Sequence, residues 1–187
     1  MAVVFSESNF AHEFAKHFHA NAIFVCRTDT VYGLHGVYGS PEAAAMLRDM
    51  KQRPDERFIT LVANIDSAAK LAKISDAHRR LLGAYWPGPY TFVLPGLHEE
   101  TISLRVPDYP LLQQILPLTG LLRSTSCNLH GEPVAKDIEA AIALFWDRVT
   151  FYIDGGEVTE TKPSTLIDLT QDFPKVLRQG MGKFPRD

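Results

Sequence analysis

Four short polar stretches in this sequence combine residue types that hold oxyanions: Thr28-Asp-Thr-Val-Tyr32, Lys51 with Arg53, Arg105, and Ser124-Thr-Ser-Cys-Asn128. Each sits at the end of a predicted element, where a rigid scaffold can present side chains to a cleft. Lysine supplies a compact, mobile charge, and arginine a planar fork that matches phosphate or carboxylate oxygens. Ser126 and Asn128 add neutral hydrogen-bond donors. Together the four stretches suggest a site for an anion. Each stretch alone is ambiguous: a basic pair at a helix end also suits the helix dipole, and a Ser/Thr-rich loop is usually a turn. The seven histidines show no metal-ligand spacing, and the glycines form neither a P-loop nor a dinucleotide fingerprint.

The elements that must position these residues are legible from periodicity. Ser8 or Asn9 is expected to cap a first helix in which Phe10, Phe14 and Phe18 recur at four-residue spacing. The apolar run 22–26 reads as a buried strand that ends at Arg27 and the Thr28 stretch. Ser40 followed by Pro41 opens a helix whose Ala44, Leu47 and Met50 form an apolar face running into Lys51. A second strand is expected over 58–63, followed by two short helices capped by Asp66 and Ser75 and stopped by Pro87-Gly-Pro89. Strands over 90–94, 102–106 and 121–126, a helix over 111–116, and a helix capped by Asp137 come next. The last third reads as strands over 149–153, 166–169 and 176–177, with Asp154-Gly-Gly156 as a turn. Several neighbouring strands lack an intervening helix, so the pattern predicts a mixed, twisted sheet between helices, of α/β class with α+β character.

Composition bounds the rest. With 187 residues, 45% of them hydrophobic, the chain is expected to form one domain over 1–187 with a core large enough to carry a cleft. The longest apolar runs fall far short of a membrane span, and the N-terminus lacks the pattern of a secretory signal, so a cytoplasmic location without membrane contact is expected. Cys26 and Cys127 make neither a disulfide framework nor a metal cluster. A net charge of −3 means that any attraction to RNA comes from a local patch, such as Arg48, Lys51, Arg53 and Arg57.

The polar stretches also belong to longer motifs: Thr28-Asp-Thr-Val-Tyr-Gly-Leu34, Lys51-Gln-Arg-Pro54, Trp86-Pro-Gly-Pro-Tyr-Thr-Phe92, Arg105-Val-Pro107, Ser124-Thr-Ser-Cys-Asn128, Lys162-Pro-Ser-Thr-Leu-Ile-Asp168 and Leu177-Arg-Gln-Gly180. In this order and spacing the sequence resembles the YrdC/TsaC family over nearly its whole length. The resemblance implies a three-layer fold, a twisted mixed sheet with helices on both faces, and a concave basic cleft. It also implies an enzyme that forms threonylcarbamoyl-AMP and pyrophosphate from L-threonine, bicarbonate or CO2, and ATP. The family's Lys, Arg, Ser and Asn signature falls on Lys51, Arg53, Ser126 and Asn128, implied to be catalytic. Thr28, Thr30, Tyr32, Arg105 and Thr125 are implied to bind substrate, with Arg105 suited to the threonine carboxylate. Ser164 and Arg178 are implied to lie near the nucleotide or the amino acid. Mg2+ is expected to arrive on the ATP phosphates, without a dedicated protein cage. The implied partner is a separate threonylcarbamoyl transferase acting on tRNA, and tRNA or double-stranded RNA binding is a further expectation.

The sequence departs from the family pattern at Arg27, where proline is usual, and at Arg57-Phe58, Tyr109 and Cys127. Its Tyr90-Thr-Phe92, Arg105-Val-Pro107 and Lys162-to-Thr170 stretches resemble the YciO branch. Two alternatives therefore stand beside the synthase: a YciO-like paralogue acting on a related nucleotide, and a module that binds double-stranded RNA or tRNA through phosphates.

Overall fold

The computed structural model describes residues 2–52, 58–159 and 162–185. In chain order its elements are β1 (Val4–Ser6), α1 (Phe10–His17), β2 (Ile23–Arg27), β3 (Tyr32–Val37), α2 (Pro41–Lys51), β4 (Ile59–Leu61), α3 (Ile65–Ala68) and α4 (Asp76–Tyr85). There follow β5 (Tyr90–Pro95), β6 (Thr101–Arg105), α5 (Pro110–Thr119), β7 (Leu122–Ser126), α6 (Ile138–Phe145), β8 (Phe151–Asp154), β9 (Thr165–Asp168) and β10 (Lys175–Arg178). The chain groups into two compact units, one formed by Met1–Phe58 with Leu122–Thr161 and the other by Ile59–Leu121 with Lys162–Asp187. Parallel and antiparallel strands mix in both, as the expected class requires.

In the first unit the strands follow the order β1-β8-β2-β3-β7. β8 runs parallel to both β1 and β2, whereas β3 is antiparallel to β2 and β7. The four-residue phenylalanine spacing of α1 has its expected outcome: Phe10 and Phe14 are buried, and Phe14 meets the rings of Phe24 and Phe151 edge-on. Each such ring contributes about 1.5–3 kcal/mol by leaving water. Ser40 caps α2 by accepting from the Ala43 N–H, and the buried face of that helix ends at Lys51. β3 was not expected as a strand, because Gly33 and Gly36 lower strand propensity. Its glycines are there for packing: a Cβ on Gly36 would stand 2.8 Å from Ile23 Cδ1 and 3.0 Å from Ala43 Cβ, so the bare backbone lets α2 approach the strand.

In the second unit the order is β4-β6-β5-β9-β10. β6 is parallel to β4 and antiparallel to β5, β5 is parallel to β9, and β10 closes antiparallel on β9. Ser75 caps α4 as expected. The cap of α3 is Asn64, whose Oδ1 accepts from the Ser67 N–H, and not Asp66, which lies inside the helix and pairs with Arg79. Trp86 is buried, packs edge-on against Phe92 and donates its indole N–H to the Tyr90 carbonyl, which makes the Trp86-to-Pro89 stretch a packed turn. No helix among the described residues is long and apolar enough to cross a membrane.

Candidate active site

β2 and β8 are parallel neighbours, and their carboxyl ends at Arg27 and Asp154 lie where the antiparallel β3 begins and β7 ends. Ligand sites in α/β sheets favour that end of the strands. Thr28 and Thr30 occupy the β2–β3 turn and are buried. Thr28 Oγ1 donates to the Val31 carbonyl and accepts from the N–H groups of Thr30 and Val31, while the two threonine hydroxyls lie 3.0 Å apart. The turn is thus held by its own side chains.

Across the strand, Gly33 lies opposite Ser126 and Leu34 opposite the buried Thr125. The chain leaves β7 with Cys127 donating its N–H to the Tyr32 carbonyl. Lys51, at the last position of α2, reaches this loop. It is only 3% exposed, and its ammonium donates to the Ser126 carbonyl at 2.9 Å, to the Asn128 carbonyl at 2.7 Å and to Asn128 Oδ1 at 2.7 Å. Ser126 Oγ donates to the same Oδ1 at 2.6 Å, and Asn128 Nδ2 donates onward to the Glu132 carbonyl. Three of the four signature residues therefore form one hydrogen-bonded cluster around a buried cation. Arg53, the fourth, lies outside the described residues. Buried polar networks of this kind rigidify a loop when every member is satisfied.

The Tyr32 hydroxyl has both its partners within the protein: it donates to the Gly156 carbonyl at 2.8 Å and accepts from the Gly155 N–H at 3.1 Å. Arg27 Nη1 also donates to the Gly155 carbonyl. These two residues pin the turn that follows β8. Burial pushes the Tyr32 hydroxyl up to about 12, with the Gly155 N–H pulling the other way. The folded state thus keeps the phenol neutral after the unfolded chain has begun to ionise, so this residue's stabilisation is complete below pH 10 and is lost as pH rises from 10 toward 12. Chemical-denaturant titrations over that range should give a slope of stability against pH that is shallower in Tyr32→Phe by up to about 1.4 kcal/mol per pH unit. An unchanged slope would refute the assignment. Cys127 is fully buried, and burial also raises its thiol to about 12, so it stays protonated and inert as a nucleophile.

The remaining predicted residues belong to the second unit. Arg105, buried at the end of β6, donates Nε–H to the Gly88 carbonyl, and Gly88 returns its N–H to the Val106 carbonyl. The Pro-Gly-Pro turn therefore aims this guanidinium. Ser164 is buried, with its hydroxyl 2.7 Å from that of Thr91, and its carbonyl accepts from Arg178 Nη2 at 3.1 Å. Arg178 is exposed as a whole residue, yet partial desolvation of its guanidinium, and then the nearby Arg105 cation, hold it below the usual arginine range. Two guanidinium groups that feel one another are a receptive chemistry for an oxyanion. Thr91 was absent from the expected site, although it lies inside the Tyr90-Thr-Phe92 motif.

A family model described as "Sua5_yciO_yrdC: Telomere recombination" matches residues 16–180. The threonylcarbamoyl-AMP synthase of Marinobacter nauticus is 31% identical over 163 residues, which span 80% of this chain and 86% of that protein. Among solved structures, E. coli YciO has a TM-score of 0.85 at 28% identity and is covered over 98% of both chains. P. abyssi Sua5 complexed with L-threonine has a TM-score of 0.85 at 27% identity; 96% of this chain is covered, and the chain spans 57% of that longer protein. The extent of these matches, together with motifs placed in one fold, shows that the chain belongs to the Sua5/YciO/YrdC family.

Proposed function

We propose that this protein joins L-threonine, bicarbonate or CO2, and ATP into threonylcarbamoyl-AMP with release of pyrophosphate, which makes it a nucleotidyltransferase. The observation that carries this reading is the Lys51–Ser126–Asn128 cluster, a buried ammonium locked into a loop that also presents a hydroxyl and an amide. The synthase from M. nauticus and the threonine-bound Sua5 structure support it.

The chemistry is an addition followed by a displacement. The threonine amine attacks CO2, a C–N bond forms, and the nitrogen loses a proton to leave a carbamate. A carbamate oxygen then bonds to the α-phosphorus as the bond from that phosphorus to the bridging oxygen breaks, and the electron pair leaves with pyrophosphate. Most of the catalytic demand is positioning and electrostatic. Lys51 supplies a preorganised charge and fixes the loop, Asn128 Nδ2 meets phosphate or carbamate oxygens, Ser126 Oγ offers a lone pair to a phosphate-bound cation, Thr30 and Tyr32 shape the amino-acid side, and Arg105 takes the threonine carboxylate.

Among the described residues no three His, Cys, Asp or Glu side chains gather as a metal cage. The neutral Ser126 hydroxyl, whose proton is used by Asn128 Oδ1, fits a cation that arrives already bound to phosphates. Bound Mg2+ would neutralise triphosphate charge, with Ser126 as its protein contact. The product is a mixed anhydride, suited to a separate transferase that modifies adenosine in tRNA.

E. coli YciO matches this chain over 98% of both lengths, which keeps a YciO-like activity on a related nucleotide as the second reading. Pyrophosphate release from ATP with Mg2+ and bicarbonate separates the two. Release that requires L-threonine is the expected result, and release independent of threonine would favour the second reading.

A further inference from the structure

We infer that Thr165 is a positioning residue that holds Arg178 and Ser164 in their oxyanion-binding arrangement by tying down the chain that follows β10. Thr165 opens β9, is fully buried, and pairs with Tyr90. Its hydroxyl donates to the Gly182 carbonyl at 2.5 Å and accepts from the Gly180 N–H at 3.0 Å and from Gln179 Nε2 at 3.3 Å. One side chain thus gathers three residues of the segment that begins immediately after Arg178. Gln179 Nε2 also donates to the Gly182 carbonyl at 2.6 Å, and Met181 donates its N–H to the Pro163 carbonyl at 2.9 Å.

The consequence falls on the residues next to the hub. Ser164 precedes Thr165, and Arg178 precedes Gln179, so the hydroxyl fixes both backbones within one residue of the bond that the Arg178 guanidinium donates to the Ser164 carbonyl. Strand pairing alone leaves that fixation incomplete, because the β9–β10 register shifts between Val176 and Arg178. Arg178 lies close enough to feel the charge of Arg105, and like charges drift apart unless the backbone restrains them. Thr165 provides this restraint without touching a ligand.

The inference rests on the proposed synthase reading, and the oxyanion is carried either by the ATP phosphates or by the threonine carboxylate. Steady-state pyrophosphate release, with ATP and L-threonine varied separately, tests it in Thr165→Val, Thr165→Ser and Gln179→Ala. Thr165→Val keeps the shape but loses the hydroxyl. It should raise KM for one of the two substrates by about tenfold or more, because a misplacement on the order of 1 Å carries penalties of that size, while kcat changes far less. The substrate whose KM moves identifies the oxyanion. Thr165→Ser should restore the wild-type KM. Gln179→Ala, at an exposed position, should melt like wild type and shift the same KM in the same direction, which keeps the test sound if Thr165→Val folds poorly. Wild-type KM values in both Thr165→Val and Gln179→Ala, or losses that merely track the unfolded fraction, would overturn the inference while an active parent left the synthase reading standing. A parent that releases no pyrophosphate would sink that reading and the inference with it.

Discussion

Lys51→Ala should cut threonine-dependent pyrophosphate release by roughly 10²–10³-fold, the range seen when one preorganised electrostatic group is removed from an active site. The ammonium is buried and spends donors on three oxygens of the loop that carries Ser126 and Asn128, so its loss removes a charge and releases a loop together. Leaving those acceptors without their donor also costs about 1–3 kcal/mol of stability. Ser126→Ala tells the two consequences apart: it keeps the ammonium and removes the hydroxyl, with its bond to Asn128 Oδ1 and its proposed contact with the phosphate-bound cation, and should lower turnover by about tenfold with little change in melting temperature. If the basic residues served only RNA phosphates, Lys51→Ala would weaken binding while Ser126→Ala did almost nothing. Wild-type turnover in Lys51→Ala would remove the cluster from the mechanism.

Gly180→Ala should be the most damaging single methyl group in the second unit. An added Cβ would stand 2.1 Å from the Pro163 carbonyl oxygen and 2.5 Å from the Ser164 carbonyl carbon. Both obstacles are backbone, so no rotamer change relieves them. The segment must lift, which breaks the bonds from the Gly180 N–H to Thr165 Oγ1 and from the Met181 N–H to Pro163. We expect a loss of about 3 kcal/mol, equivalent to a melting temperature lower by roughly 6–12 °C, together with a raised KM for the substrate that Thr165→Val identifies. Calorimetry and kinetics on the same preparation check this. A variant that melts and turns over like the parent would show that the close approach does not hold the segment.

Local signals in the sequence located most of this. The Ser40-Pro41 start and the spacing of Ala44, Leu47 and Met50 placed Lys51 at the end of a buried helical face, where it stands. The polar residues of the Thr28 turn and of the Ser126 loop were recognised by type, because short-range turn chemistry is local. What remained hidden depends on contacts between residues distant in sequence. The ammonium of Lys51 read as a mobile point charge, and its anchoring by a loop over seventy positions away appears only in three dimensions. β3 was missed because the feature that makes it useful, a glycine that admits α2, is the one that weakens a strand signal. Thr165 fell inside the Lys162-to-Asp168 motif, just before the strand expected over 166–169, and carried no role of its own, since nothing local reports which distant groups a threonine hydroxyl binds. Asp66 was expected to cap α3 where Asn64 does, because both residue types are good caps and only backbone geometry selects between them.

The distribution of strands also has a consequence for how the chain is made. β2 and β3 form a hairpin early, but the strands that flank them, β7 and β8, come from 122–154; β5 and β6 likewise wait for β9 and β10 from 165–178. A ribosome that has released everything through β6 has therefore delivered the full strand set of neither unit. Hydrophobic strand edges stay exposed until β9 and β10 have been synthesised. Long-range pairings of this kind close slowly, so a chain stalled before β9 is expected to present unpaired edges to chaperones or proteases.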